Sequence, residues 1–82
     1  MKPSFEKTHM AYAIRKGMTN YFVNNFSFFP NHISIKRLSD KTWTTTSTDL
    51  ANNVLREITN ISPKHHDLEV VPVTVGNYIE VK

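Results

Sequence analysis

The 82-residue chain contains no cysteine and only two glycines, and each scarcity excludes a class of site. Without cysteine there is no disulfide framework and no thiolate ligand for a metal ion. Stability therefore has to come from apolar packing or from association with a second chain. Two glycines, Gly17 and Gly76, are too few for a glycine-rich phosphate-binding loop. We therefore expect no cofactor and no small-molecule substrate.

The sequence also lacks the long apolar runs that membranes require. No segment approaches the roughly 18 apolar residues of a membrane-spanning helix, and the N-terminal residues have no apolar region typical of a signal peptide. The composition, 39% hydrophobic and 21% charged, is typical of a globular protein. We predict a single compact domain over residues 1–82, located in the cytoplasm. Small size and abundant asparagine and threonine are compatible with an accessory protein of a bacterium, phage or plasmid.

Apolar residues recur at helical spacing in the first third of the chain. Met10, Ile14 and Met18 follow one another at intervals of four. This spacing predicts an amphipathic helix over residues 5–24, with Ser4 as its N-cap. Gly17 lies inside the predicted helix, where it is expected to lower the stability by about 1 kcal/mol relative to alanine.

A β-hairpin is expected to follow this helix. Residues 32–38 alternate between apolar and polar side chains, and residues 42–47 are rich in β-branched threonine. The position of Trp43 depends on the turn between these strands. A two-residue turn places it across from Leu38, on the face opposite Ile33 and Ile35, where it could bind a ligand or partner. A three-residue turn places it across from Arg37, in the core.

The second half of the chain gives the clearest signals. Residues 50–61 have the apolar stripe of a helix, preceded by three possible N-cap residues and stopped by Pro63. The β-rich runs 68–75 and 78–81 flank Gly76-Asn77, which is typical of a two-residue type II′ turn. The predicted fold class is therefore α+β, with two helices packed on a small, mainly antiparallel sheet of two hairpins, in the order α-ββ-α-ββ.

Two apolar regions are candidate surfaces for binding another protein. Phe28 and Phe29 are adjacent in an extended segment, so their rings tend to point in opposite directions. Either one of them is exposed as an anchor for a partner, or the loop folds back and buries both. The C-terminal hairpin is apolar on both faces, which indicates cover by a helix or by another subunit; its candidate residues are Val73, Val75 and Tyr78. We predict a protein-interaction or regulatory module that binds another protein or forms a homodimer.

Basic residues support an alternative function. The formal net charge is +3 and the isoelectric point is about 9.4. A sheet face carrying lysine, arginine and an aromatic ring could contact phosphates and stack bases. The candidate residues for such a small nucleic-acid-binding regulator are Arg15, Lys16, Lys36, Arg37 and Trp43.

Catalytic and metal-binding patterns are missing from the sequence. The closest cluster is His65-His66-Asp67, whose adjacent histidines point in different directions and have no third ligand at a motif spacing. No pair of carboxylates has a spacing that suggests general acid–base chemistry, and no serine lies between glycines in a nucleophile elbow. We therefore expect a protein that is not an enzyme and holds no metal ion.

The predicted order of elements resembles that of one known family. A helix leading into Phe29-Pro30, a strand at His32-Ile-Ser-Ile-Lys36, a hairpin and a second helix are similar to the core of the DNA-damage-inducible protein I family, small modulators of recombinase filaments. The resemblance covers about half of the chain. This sequence lacks the family's leading strand and acidic final helix, and it adds a C-terminal hairpin. The resemblance implies an α+β fold and action on a protein filament.

Overall fold

The computed structural model describes residues 8–76 and 78–81 of the chain. In these residues one α-helix packs against a five-stranded antiparallel sheet with the strand order β3-β2-β1-β4-β5. The predicted fold class, two helices on two hairpins, is therefore wrong. The elements are β1 (His9–Lys16), β2 (Tyr21–Phe28), β3 (Asn31–Arg37), α1 (Thr48–Ile61), a 3-10 turn (Pro63–His65), β4 (Leu68–Val75) and β5 (Ile79–Val81).

The predicted first helix is replaced by strands β1 and β2, joined by a turn in which Gly17 has a φ of +52°. The reason lies in the spacing. Met10, Ile14 and Met18 are four residues apart, and four is a multiple of the two-residue period of a strand as well as close to one helical turn. Both faces of β1 are also apolar in part, because Ala13 is fully buried on the face opposite Ile14. The predicted N-cap, Ser4, lies outside the described residues.

The predicted return strand over residues 42–47 does not pair with β3. It lies instead in a gap between β1 and β2. The Trp43 amide donates to the Val23 carbonyl (3.1 Å), while Tyr12 and Thr45 exchange two backbone hydrogen bonds of 2.8 and 3.0 Å. Direct pairing of β1 with β2 is limited to the end near the turn, with Arg15 opposite Phe22. The two strands therefore separate, and the connecting segment satisfies backbone groups that would otherwise be unpaired.

This connection passes through the sheet. Leu38 packs on the face away from the helix, against the cluster that contains Phe22, whereas Trp43 packs on the helix side. The chain therefore crosses from one face to the other between β1 and β2. Neither of the two predicted registers of Trp43 forms, and its half-buried ring makes an edge contact with Phe26 at 5.4 Å.

The second predicted helix is confirmed as α1. The Ser47 side chain accepts a hydrogen bond from the Leu50 amide (3.1 Å), and the helix ends before Pro63 as expected. Its buried residues face Ile14, Val23 and Leu68 of the sheet; they are Ala51, Val54 and Ile58. Each fully buried aliphatic side chain contributes about 1.5–3 kcal/mol. The helix is neither long nor apolar enough to span a membrane, and no other α-helix occurs in the described residues.

The C-terminal hairpin is confirmed as β4 and β5, with a different turn. Val75 pairs with Ile79, which leaves three residues between the strands where two were predicted. The predicted turn residue Asn77 lies outside the described residues. Strand β4 pairs with β1 along its whole length, so this hairpin continues the main sheet and does not form a separate layer.

A β-bulge bends β2 and gives the distal hairpin its direction. Val23 pairs with Ile35, but the next pairs are Asn25 with Ser34 and Phe26 with Ile33, so β2 contains one extra residue. A bulge of this kind bends its strand and increases the local twist. Beyond the bulge, the β2–β3 hairpin lies against the helix side of the core, and its end approaches the end of α1.

Candidate functional site

The end of the β2–β3 hairpin presents one aromatic ring to solvent. Phe28 pairs with Asn31, which leaves Phe29 and Pro30, joined by a cis peptide bond, as the whole loop. Phe29 is 96% exposed, whereas Phe28 is half-buried. The opposite directions expected from two adjacent extended residues are therefore present, with Phe28 inward and Phe29 outward. We call residues 28–31 the hairpin tip.

The hairpin tip is anchored by aromatic packing beneath it. The Phe26 ring lies 5.4 Å from the Phe28 ring and 5.4 Å from the Trp43 ring, tilted to the first and nearly perpendicular to the second. Such aromatic pairs contribute about 0.5–1.5 kcal/mol each beyond the area that they bury. Three half-buried rings packed against the core therefore support the strand that leads into Phe29.

A cleft lies directly beside the hairpin tip, between the start of β3 and the end of α1. Its volume is about 250 Å³. It is lined from the strand side by Asn31, His32 and Ile33, and from the helix side by Ile61, Ser62, Lys64 and His65. One lysine, two histidines, one serine and one asparagine make this lining polar, and no carboxylate belongs to it. We call these seven residues the basic cleft.

Burial and neighbouring charges shift the pKa of His65 in the basic cleft. Partial burial lowers the pKa of His65, and the positive charges of Lys64 and Lys16 lower it further, against the opposing effect of Asp67. The pKa of Asp67 is itself lowered, chiefly by the hydrogen bond that its Oδ2 accepts from Lys16 Nζ at 2.9 Å. Asp67 is thus paired with Lys16, and Lys64 is the one lysine or arginine among the seven residues of the basic cleft.

The predicted partner-binding residues occupy different environments. Val73 is fully buried and Val75 half-buried, both in the cluster on the face away from the helix. Tyr78, in the turn before β5, is 64% exposed. Of the five predicted residues, only Phe29 and Tyr78 are largely accessible, and the structure does not bring these two into contact with a common pocket.

The predicted nucleic-acid-binding residues are not brought together on one face. Arg15 and Lys36 are the cross-strand neighbours of Phe22 on either side, so they share the face away from the helix. Lys16 and Arg37, each next in sequence to one of these, belong to the opposite face.

Several of the same residues are also engaged in contacts within the chain. Arg15 forms an ion pair with Glu69 (2.7 Å), and Lys16 forms one with Asp67 (2.9 Å). Arg37 lies over the Tyr21 ring, 5.9 Å from its centroid. With Trp43 half-buried in the core, Lys36 is the only one of the five predicted residues for which the described part of the chain shows no such contact.

The His65-His66-Asp67 sequence does not gather metal ligands. Among residues 8–76 and 78–81 no group of three or more histidine, aspartate or glutamate side chains is placed to hold a metal ion. His65 lines the basic cleft, while Asp67 pairs with Lys16.

Sequence reasoning did not identify the basic cleft. Its two walls come from separate parts of the chain, residues 31–33 and residues 61–65, and they meet only in the folded protein. A local signal existed in Pro63-Lys64-His65, which places basic side chains directly after a helix end. That signal did not indicate which strand would lie opposite.

The chain was compared with protein-family models, curated proteins and solved structures, and none of the three comparisons gives a match. The resemblance to the DNA-damage-inducible protein I family depended on a first helix, which the structure replaces with β1 and β2. The structure therefore does not support that resemblance. What the fold and the surface define is a small α+β domain with an exposed aromatic hairpin tip beside a basic cleft.

Proposed function

We propose that this protein is a small, non-enzymatic protein-interaction module whose anchor residue is Phe29. The observation that carries the proposal is a 96% exposed phenylalanine at a two-residue loop whose supporting rings are packed in the core. Burying a phenylalanine side chain contributes about 1.5–3 kcal/mol. An apolar pocket on a partner recovers this energy, at little entropic cost to a loop that is already positioned.

The partner is a protein surface with an apolar pocket, either on a second copy of this chain or on another protein. Aromatic side chains that fill such pockets are the residues that most often dominate binding energy at protein interfaces. The nucleic-acid alternative has weaker support, because its predicted residues lie on two faces of the sheet and two of them are in ion pairs.

Site-specific photo-crosslinking tests the anchor. A photoreactive phenylalanine analogue is placed at position 29 and, as a matched control, at position 18, because Met18 is also highly exposed (88%) but lies in the turn between β1 and β2. We expect position 29 to give a discrete crosslink in an extract of the native host, or a crosslinked dimer with the purified chain. Position 18 should give neither.

Competition makes the crosslinking result specific. Unlabelled wild-type protein should abolish the crosslink, whereas Phe29→Ala should compete at least about tenfold less well, given the burial energy of one phenylalanine. Since the Phe29 side chain is exposed, the variant should melt within a few degrees of wild type. Equal crosslinking from both positions, or equal competition by Phe29→Ala, would contradict the proposal. Sedimentation across a concentration series then separates a homodimer from a complex with another protein.

A further inference from the structure

The basic cleft has the composition of an anion-binding site. Its polar groups are all hydrogen-bond donors or can become donors: the Asn31 amide, the Ser62 hydroxyl, the Lys64 ammonium and the imidazoles of His32 and His65. In the described part of the chain, Lys64 takes part in neither of the two ion pairs. Donors line both walls of the cleft, and the lining contains no competing carboxylate.

The size of the cleft restricts the ligand. A volume of about 250 Å³ lies below the roughly 300–1,000 Å³ of pockets that enclose drug-sized molecules. It suits a small ion or the charged end of a larger molecule. A planar carboxylate presents two oxygens in one plane, whereas a tetrahedral oxyanion presents four oxygens that donors on two opposite walls can contact together. The arrangement therefore favours a phosphate group.

We propose that the basic cleft binds a phosphate group, either as inorganic phosphate or as the phosphate of a small phosphomonoester, with Lys64, Ser62 and His65 on one wall and Asn31 and His32 on the other. Lys64 supplies an ammonium group with three hydrogen-bond donors. The hydroxyl and amide donors fix the orientation of the oxygens. Ile33 and Ile61 form the apolar part of the lining.

His65 makes this binding dependent on pH. The charged groups that act on the pKa of His65 are Lys64 beside it, Lys16 of β1 and Asp67 before β4. His32 lies across the cleft. Without a ligand, burial and the two lysines hold the pKa of His65 below its ordinary value of 6.5. A bound dianion favours the protonated imidazole, so the affinity should rise as the pH falls through this range.

Sulfate is the suitable probe for this dependence, since it is a tetrahedral dianion that does not itself titrate where histidine does. Titration of the isotopically labelled protein, followed by NMR at constant ionic strength with chloride as the exchanged ion, should show saturable shifts at residues of both walls. Affinity should be several-fold higher below the ordinary histidine pKa than above it. Replacing Lys64 by glutamine should weaken binding about tenfold, as expected for loss of one charge-assisted hydrogen bond.

Three further variants separate this site from general surface charge. Lys41→Gln removes an exposed lysine of the connection between β3 and α1 and should leave sulfate binding unchanged. The variant His65→Gln should retain binding at high pH and lose the increase at low pH. Phe29→Ala should bind sulfate like wild type, so the outcome here is independent of the protein-binding proposal.

Two further titrations show whether the ligand is inorganic phosphate or a phosphomonoester. Inorganic phosphate and glycerol phosphate are titrated at the same pH; tighter binding of the ester assigns the cleft to phosphomonoesters, and equal or tighter binding of the free ion assigns it to inorganic phosphate. The inference is overturned if chloride produces the same shifts as sulfate. It is also overturned if the shifts do not saturate, or if Lys64→Gln and Lys41→Gln have equal effects.

Discussion

Replacing Gly17 by alanine distinguishes the observed hairpin from the helix that apolar spacing predicts. The substitution should lower the stability of the hairpin but would raise the stability of the helix. In the structure, Gly17 has a φ of +52°, a conformation that costs an L-residue about 1–2 kcal/mol. A Cβ atom at this position would lie 3.7 Å from Asp67 Oδ2 and 4.0 Å from the Asp67 carbonyl oxygen, which is ordinary contact. The whole penalty therefore comes from the backbone. In a helix the same substitution would stabilise by about 1 kcal/mol.

Urea and thermal unfolding show directly whether Gly17→Ala raises or lowers the stability. For a domain of this size, 1 kcal/mol corresponds to a shift of roughly 4–8 °C in Tm. We expect Gly17→Ala to lower the Tm by about that amount. Gly17→Asn should lower it less, since asparagine tolerates a left-handed backbone better than alanine does. A Gly17→Ala variant that is more stable than wild type, with increased helical signal in circular dichroism, would refute the hairpin.

Two more predictions concern the core and the ion pair that closes the β1–β4 end of the sheet. Ile58→Ala removes a fully buried side chain from the helix-side core and should lower the free energy of unfolding by about 2–5 kcal/mol; Leu50→Ala on the same helix, 47% exposed, should lower it by about 1 kcal/mol or less in the same urea titration. The pKa of Asp67 is lowered in the folded protein, chiefly by its hydrogen bond from Lys16. The ionised Asp67 carboxylate therefore stabilises the fold at pH values above its ordinary pKa of about 3.8. This contribution is lost as the pH falls through the lower folded-state pKa. Asp67→Asn should therefore be less stable at neutral pH and lose less stability on acidification, and melting curves with the same acid dependence as wild type would contradict this.

The parts of the fold that were predicted correctly depend on local information. Helix α1 is defined by Ser47 at its start, by an apolar stripe at consistent helical spacing, and by Pro63 after its end. All of these act within a few residues of the chain. Strand β3 follows from the alternation of Ile33 and Ile35 with polar neighbours, which also needs no distant partner.

The parts that were wrong depend on contacts between distant residues. Strand β1 is the centre of the sheet and is covered on both faces, so the alternation that normally marks a strand is weak, and Met10 and Ile14 give a spacing that fits a helix equally well. Residues 42–47 have the composition of a strand. They pair with β1 and β2 and not with β3, because the backbone groups of Tyr12 and Val23 have no partner strand in the gap between β1 and β2. No local pattern records the existence of that gap.

The candidate site shows the same division. Phe29 was one of two possible anchors because adjacent residues in an extended segment point in opposite directions. Local geometry could not decide which of Phe28 and Phe29 is exposed, since that depends on the face of β2 that the helix covers. The basic cleft needed still more non-local information, because residues 31–33 and 61–65 meet only after the sheet and the helix have packed together.

The bulge in β2 is the feature that decides which face of the sheet carries Phe26 and Phe28. In a regular strand, side chains two residues apart share a face, so Phe26 and Phe28 would lie on the face opposite Val23. The extra residue between Val23 and Asn25 shifts the alternation by one. Phe26 and Phe28 consequently join Val23 in the helix-side core, and Phe29 is turned outward.

The same extra residue also bends the hairpin toward the end of α1, where the start of β3 becomes one wall of the basic cleft. A β2 strand without the bulge would place Phe26 and Phe28 on the face away from the helix, and it would lose the local bend of β2. The exposed aromatic ring and the cleft beside it thus have a common structural cause.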